Sequence, residues 1–464
     1  MSVVENYLKS QGFTPYTGET KSRQAVWESW YKGYVREFHE YFTIDARRRK
    51  QHHKRFQLGM AKVVCEDFGS LLINEHVQIE CEQIKNLADI LEENSFHTRA
   101  NRLAELTMAM GAGALVEFMG ADGAPVIDYI KADMIYPLSW DNETVTECAF
   151  ASSKVIGRGK EAKKGYYVQL HVKENGGWRV KNAWLDEHGE VLPAPEGMLE
   201  ESPLSPVPLF QIVRPNTVNV LEPDSPLGAS VFANAIDQLK ACDIVYDSSV
   251  TEFVLGKKRV MIPLSLAQID IEKGASGDDT ISPSFDPNDM LFYVINAREG
   301  QDGKPIEIDM HLRVAEHDAA LQRQIDLLSK KCGLGMGRYQ VDGGALKTAT
   351  EVISAKSDLY QSLKRHEKTF KDAIVGMVKA IGWLQGVQVD DVAVQFDDSI
   401  IEDANATIDR EIKLVSAGLT SKKEAIMAIE GVDEKAAEAK LQAIAAEERI
   451  SIDAAEVAMF GRMG

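Results

Sequence analysis

The sequence predicts an α+β fold, and three observations carry that prediction. Apolar residues follow a helical period over much of the chain but switch to a period of two between about 112 and 220. Two helical stretches, about 226–255 and 312–332, enclose a short β-prone segment. A glycine-rich break, Gly333-Leu-Gly-Met-Gly337, leads through Lys347 into a helix far longer than globular cores ordinarily use.

The first section, to about residue 111, reads as helical. Trp27, Trp30, Tyr31, Tyr34, Phe38 and Tyr41 sit at helical spacings, and Met60, Val63, Val64, Phe68 and Leu71 repeat the pattern within Leu58–Leu72. An aromatic stripe of this kind belongs to a core before it belongs to a base-stacking platform. Strand-like segments follow at 114–119, 126–136 and 146–156. Tyr166–Val172 and Trp178–Leu185 flank Glu174-Asn-Gly-Gly177, whose Asn and Gly tolerate the positive φ of a hairpin turn.

Prolines at 203, 206, 208, 215, 223 and 226 mark an extended connection. Ser225-Pro226 offers a cap and a first-turn proline, so a helix is expected from 226 to about Leu255. Its apolar residues cover much of its circumference, which predicts packing on more than one side. Gly256-Lys257-Lys258-Arg259 ends it, with cations at the carboxyl end of the helix dipole. Short β-prone runs at 260–262, 269–271, 291–295 and 306–308 form a small α/β insert, and a helix at about 312–332 returns from it.

Thr348 and Glu351 have capping-box spacing, so the long helix starts near Ala349. Val352, Leu359, Leu363, Phe370, Ile374, Met377, Ile381 and Leu384 keep one stripe against a neighbour, along roughly 50 Å of rod. Ser421 and Glu424 repeat the capping box in an acidic helical tail.

Composition narrows the function. The chain has 464 residues, 44% hydrophobic and 27% charged, enough for two to four domains. No apolar run reaches a membrane span and the first residues lack a signal peptide's pattern, so an intracellular, soluble protein with no membrane partner is expected. Five cysteines (Cys65, Cys81, Cys148, Cys242, Cys332) without a C-x-x-C pair indicate neither a disulfide framework nor zinc, and read as buried small hydrophobes. The net charge of −19 argues against a conventional nucleic-acid binder. Acid concentrates in the tail, with 17 acidic and 8 basic residues from Asp390 to Gly464. Against this trend stands Arg47-Arg-Arg-Lys-Gln-His-His-Lys-Arg55, read as a solvated helix start or loop, with a phosphate or partner contact as the alternative.

Chemistry-bearing patterns are sparse. The 333–337 break lacks a Gly-Lys-Ser/Thr ending and follows no strand, so it is a hinge or turn and not a nucleotide loop. His52-His53 and His311/His317 lack the i, i+4 spacing of a helical metal pair. The doublets Asp390-Asp391 and Asp397-Asp398 are the best magnesium candidates, but adjacent side chains diverge and no third ligand is evident. No catalytic residue, metal or cofactor is therefore expected. Three classes remain: an oligomeric structural channel, a magnesium-dependent nuclease or other hydrolase, and a DNA-binding regulator with a helix-turn-helix at 418–441. The last would aim Asp433 and Glu434 at phosphates.

Trp27-Glu-Ser-Trp-Tyr-Lys-Gly33, Leu58-Gly-Met-Ala-Lys62, Val64-Cys-Glu-Asp67, Leu71–Glu75, Ser230-Val-Phe-Ala-Asn234, Phe285-Asp-Pro-Asn288 and Lys347–Ser354 resemble portal proteins of long-tailed bacteriophages of Gram-positive bacteria. Phe396-Asp-Asp-Ser-Ile-Ile401 and Val415-Ser-Ala-Gly418 are similar to that family too. The resemblance spans most of the chain in order. It implies a ring, commonly of twelve subunits, at one capsid vertex of the virion, assembled in the host cytoplasm. Double-stranded DNA passes through such a ring without sequence specificity. The terminase large subunit, a head-completion or adaptor protein, and the scaffold and major capsid proteins are its implied partners.

On that plan residues 1–225 are the wing, 226–258 the first stem helix, 259–310 the clip and 311–334 the second stem helix. Residues 335–347 are the tunnel loop, 348–399 a long wing helix with a return strand, and 400–464 the crown. Arg338 and Lys347 then flank the glycine break and could touch phosphate transiently, with Tyr339 and Gln340 at the tip of the tunnel loop and Val341 also within it. Lys257, Lys258 and Arg259 form the cationic end of the first stem helix. An acidic channel protein fits DNA that must slide, because lumen contacts have to be weak.

Overall fold

The structure is a computed structural model. It describes residues 3–44, 48–120, 122–156, 163–193, 199–256, 259–263, 269–273, 279–283, 292–295, 306–308, 310–341, 349–396, 411–430, 436–442 and 444. The chain divides into two units, Met1–Glu75 with Ile79–Val394, and His76–Gln78 with Gln395–Gly464.

The first unit begins with α1 (Val3–Ser10) and α2 (Glu19–Tyr31). The aromatic stripe expected to run to Tyr41 stops here. Trp27 and Trp30 are buried, but Gly33 takes φ +79° and ends the helix, a conformation open to glycine without strain. The chain turns through α3 (Arg36–His39) into β1 (Glu40–Ile44), which pairs antiparallel with β2 (Lys50–Lys54). The basic run is thus one arm of a hairpin and not a helix start or loop. Aromatic and β-branched Tyr41, Phe42, Thr43 and Ile44 supply the strand propensity that its cations hide. Helix α4 (Met60–Leu72) comes where expected and packs Phe68 and Leu72 inward. After β3 (Gln78–Glu80) and α5 (Leu87–Glu93), α6 (Phe96–Met110) lies along α4. Gly69 sits so close to Asn101 and Glu105 that a Cβ there would press on both.

The β-rich body forms two sheets. Strands β4 (Gly113–Met119) and β5 (Pro125–Lys131) join β11 (Phe210–Val213) in the order β11-β4-β5. The stretch 126–136, read as one strand, is broken by a 3-10 turn at Ala132–Met134 and resumes as β6 (Ile135–Asp141). Strands β6, β7 (Thr144–Ile156), β8 (Lys163–Glu174), β9 (Gly177–Leu185) and β10 (Val191–Leu192) form the antiparallel order β10-β9-β8-β7-β6. Asn175 and Gly176, at φ +47° and +82°, make the expected tight turn between β8 and β9. One face of this sheet packs Val168, Leu170, Val172, Ala183 and Leu185 against Val4 and Leu8 of α1. On the other, Val180 meets Ala380 and Trp383 of α9 (Ala349–Leu384). At 36 residues and about 1.5 Å each, α9 is roughly 54 Å long and starts at the residue expected. Its capping residue Thr348 lies outside the described residues.

The helix expected from Pro226 begins ten residues later, as α7 (Ile236–Leu255). The Ser225 hydroxyl is engaged elsewhere: it donates to the Tyr16 hydroxyl at 2.9 Å and accepts from the Leu227 amide at 3.2 Å. Tyr16 donates in turn to Glu222, which also accepts from the Thr20 hydroxyl at 3.0 Å. Gly228 lies flat against Gly111, and the Val231 amide donates to Met108 O at 3.0 Å. These contacts hold 226–232 against the end of α6 until the chain is free to coil.

Within the insert, β12 (Arg259–Pro263) pairs parallel with β15 (Phe292–Ile295) and antiparallel with β16 (Ile306–Ile308), while β13 (Ile269–Lys273) and β14 (Asp279–Pro283) form a separate hairpin. Its described residues are all strand, so the helical part expected of it is not among them. Helix α8 (Val314–Cys332) returns antiparallel to α7, and β17 (Ala393–Gln395) closes the unit.

In the second unit, the helix Lys422–Glu430 carries the expected capping box. Ser421 Oγ accepts from the Glu424 amide at 3.1 Å, and Glu424 Oε2 accepts from the Ser421 amide at 2.9 Å.

Candidate functional site

The α7–α8 pair is clamped at both ends by polar contacts. Near the insert, Glu252 of α7 takes two bonds from the Arg313 guanidinium (3.2 and 2.9 Å), one from the Arg313 amide (2.9 Å), and lies 2.5 Å from His317 Nε2. The Arg313 bonds, with His317 behind them, hold its carboxyl down at about 2. At the far end, Lys331 Nζ donates to Asn234 O at 3.0 Å and Gln238 Oε1 at 2.7 Å. Between the clamps little of α7 is covered: its buried residues are Leu239, Cys242 and Asp243. Ile244, Phe253, Val254 and Leu255 are exposed, as are Val314 and Leu327 of α8. Helix α7 packs against α8, α4 and the segment from His39 to Leu58, more than one side as the sequence predicts, while Ile244 and the last turn of α7 stay exposed.

The glycine break forms a turn, one of the two readings its sequence allows. Gly333, Gly335 and Gly337 take φ of +87°, +77° and +73°, three left-handed turns within five residues that non-glycine side chains would strain. The segment that follows is pinned. Ser329 Oγ donates to Gly335 O at 2.6 Å, the Gly337 amide to Asp326 Oδ1 at 2.8 Å, and the Val341 amide to Gln322 Oε1 at 2.8 Å. Gln322 Nε2 donates to Tyr339 O at 2.8 Å.

Arg338 forks onto Asp67 of α4, Nε to Oδ2 at 2.8 Å and Nη2 to Oδ1 at 2.6 Å, and the Tyr339 hydroxyl adds a third bond at 3.0 Å. Asp67 raises the Arg338 guanidinium above its ordinary value, and burial raises the Tyr339 hydroxyl. Arg338, though exposed, and half-buried Tyr339 are anchors within the subunit; Met336, Gln340 and Val341 are exposed too. Lys347, Lys257 and Lys258 lie outside the described residues. Arg259 belongs to β12, opposite Ile308, and not to the end of α7. Asp67 stands 271 residues from Arg338 and nothing in the sequence marks the pair. Gln322 and Asp326, four apart on α8, carry a faint signal as two polar residues on one face.

No three His, Cys, Asp or Glu side chains gather as a metal site among the described residues. Asp390 accepts from the Gln388 amide group and Asp391 from the Val392 backbone, while Asp397 and Asp398 lie outside the described residues. Cys65, Cys148, Cys242 and Cys332 are buried, and Cys81 is half-buried. No described helix is long and apolar enough to cross a membrane.

A comparison with curated protein sequences finds no match. Among solved structures the chain is similar to one from the virion of a native gene transfer agent particle, at 12% identity and TM-score 0.44, covering 93% of this chain and 99% of that one. It is also similar to chains from the neck of the native particle computed with C12 symmetry (11%, TM-score 0.40, 80% and 89% covered) and of the empty particle computed with C6 symmetry (12%, 0.40, 80% and 90%). The assignment rests on the sequence: residues 17–452 match the family described as phage portal protein, SPP1 Gp6-like, and the chain belongs to that family.

Proposed function

We propose that this portal protein, a member of the ring at one capsid vertex, conducts double-stranded DNA through a channel lined by its helix pair and the segment after it. The observation that carries this reading is the exposed apolar surface of α7 and α8 on a pair already clamped at both ends. Helices fixed to each other and still carrying exposed apolar side chains suit side-by-side packing of copies around an axis. Residues 335–347 are the tunnel loop on this reading. Gln340 and Val341 are its channel-facing tip, while Arg338 and Tyr339 hold it to α4 and leave few cations to retard DNA.

The wing (1–225), stem (α7 and α8), clip (259–310) and crown (400–464) follow the family plan. Twelve copies, docking of the terminase large subunit and an adaptor protein at the clip, contact with scaffold and major capsid proteins, and assembly in the host cytoplasm belong to the same proposal. So does the absence of nuclease activity. Packaging assays test it: shortening 338–345 impairs DNA passage while rings still form. Loss of ring formation itself, or magnesium-dependent cleavage abolished by Asp397→Ala, overturns it.

A further inference from the structure

The β1–β2 hairpin is assigned no role in the channel proposed above. Its two strands pair with each other and with no other described strand. Such a ribbon is marginal in water on its own and leaves unpaired amides and carbonyls along both edges. Its base is anchored to α7. The Phe56 amide donates to Asp247 Oδ1 at 2.9 Å and the Leu58 amide to Asp243 Oδ1 at 2.7 Å, both on α7. Buried His39 lies 3.2 Å from Asp243, and the Arg55 guanidinium stacks over Phe38 and Tyr41.

Away from that base one face carries Phe42 and Ile44, 54% and 76% exposed, opposite His52 and Lys50. Arg48 and Arg49 precede Lys50 in the sequence and add to the hairpin's positive charge, in a chain of net charge −19. We infer that this face docks onto an acidic surface of the neighbouring copy in the ring, an inference that rests on the ring reading above. Charge complementarity favours a second copy, because the hairpin is basic and the remainder of the chain is strongly acidic. The exposed Phe42 and Ile44 side chains favour a protein over a nucleic acid backbone, whose phosphates would take the cations and leave the apolar pair in water. Anchoring to Asp243 and Asp247 places the hairpin's base on α7, the helix that carries the exposed Ile244.

The test uses the full chain with Ile44 replaced by the photo-crosslinker p-benzoylphenylalanine, beside an Arg48→Glu/Arg49→Glu/Lys50→Glu variant, read by native mass spectrometry and peptide mapping. Assembled rings should give chain-to-chain crosslinks to acidic peptides. The charge-reversed variant should keep the circular dichroism of the wild type and associate about tenfold more weakly. Rings that form normally in that variant, with crosslinks absent or made only to added double-stranded DNA, overturn the inference. If the unmodified chain never forms rings, it is the ring reading that fails.

Discussion

The five-stranded sheet and the α7–α8 pair use apolar residues in opposite ways. In the sheet, Phe150, Val168 and Leu185 are buried within the same subunit, between α1 and the end of α9. In the helix pair, polar clamps fix the geometry, and Phe253, Val254 and Leu255 face outward. One region completes its core alone; the other, on the reading proposed above, is completed by a second copy. Stability and assembly are thus encoded in separate places, which makes them separable by mutation.

The largest expected effect tests the sheet side of that contrast. Phe150 packs on Phe210 and His171, so Phe150→Ala should cost about 3–5 kcal/mol and lower the subunit's Tm clearly. On the helix side, Phe253→Ser with Leu255→Ser should leave the subunit's unfolding free energy within about 0.5 kcal/mol while abolishing rings in light scattering. A large fall in Tm from the second pair would erase the distinction.

A smaller effect concerns the loop. Asp67→Ala removes all three bonds from Arg338 and Tyr339 and should cost about 1–3 kcal/mol. Hydrogen exchange should speed up at 335–341 and not in the sheet. Equal loosening everywhere would mean that Asp67 supports the whole fold and not the loop.

Three titratable groups give pH responses of both signs. Glu117, buried without a hydrogen-bond partner among the described residues, is raised by burial to about 8. It stays protonated in the native state, so its contribution is whole below about pH 4.5 and is lost as pH rises through 8. Glu117→Gln should flatten the alkaline side of the stability profile. His171, lowered to about 3 by burial, acts oppositely: its contribution is whole above 6.5 and fades as pH falls toward 3. Glu252 is held at about 2, so the α7–α8 clamp is intact above about 4.5 and loosens only below it. Glu252→Gln should remove that acid-side response of the helix pair, read by hydrogen exchange at 313–317. The expected change is the smallest, because the site is close to solvent.

Much of this contrast was legible in the sequence. The turn at Asn175-Gly176, the start of α9 at Ala349 and the Ser421–Glu424 cap are local, and local chemistry decides them. The delayed start of α7 was not legible, because Ser225 is claimed by Tyr16, a partner 209 residues away. The hairpin was hidden because its second strand, Lys-Gln-His-His-Lys, has almost no apolar residues to show a period of two. The pairing of Arg338 with Asp67 was hidden for the same reason that Ser225 reads as a cap. In both cases the deciding partner lies far off in the chain.

The central claim is that copies of this subunit close around a channel through the surface that α7 and α8 leave uncovered. Imaging the purified full-length chain by negative stain at micromolar concentration, with native mass spectrometry on the same sample, tests it most directly. Closed rings with a central hole, lost in the Phe253→Ser/Leu255→Ser variant, are the predicted result; single copies throughout, or rings indifferent to that variant, would contradict the account.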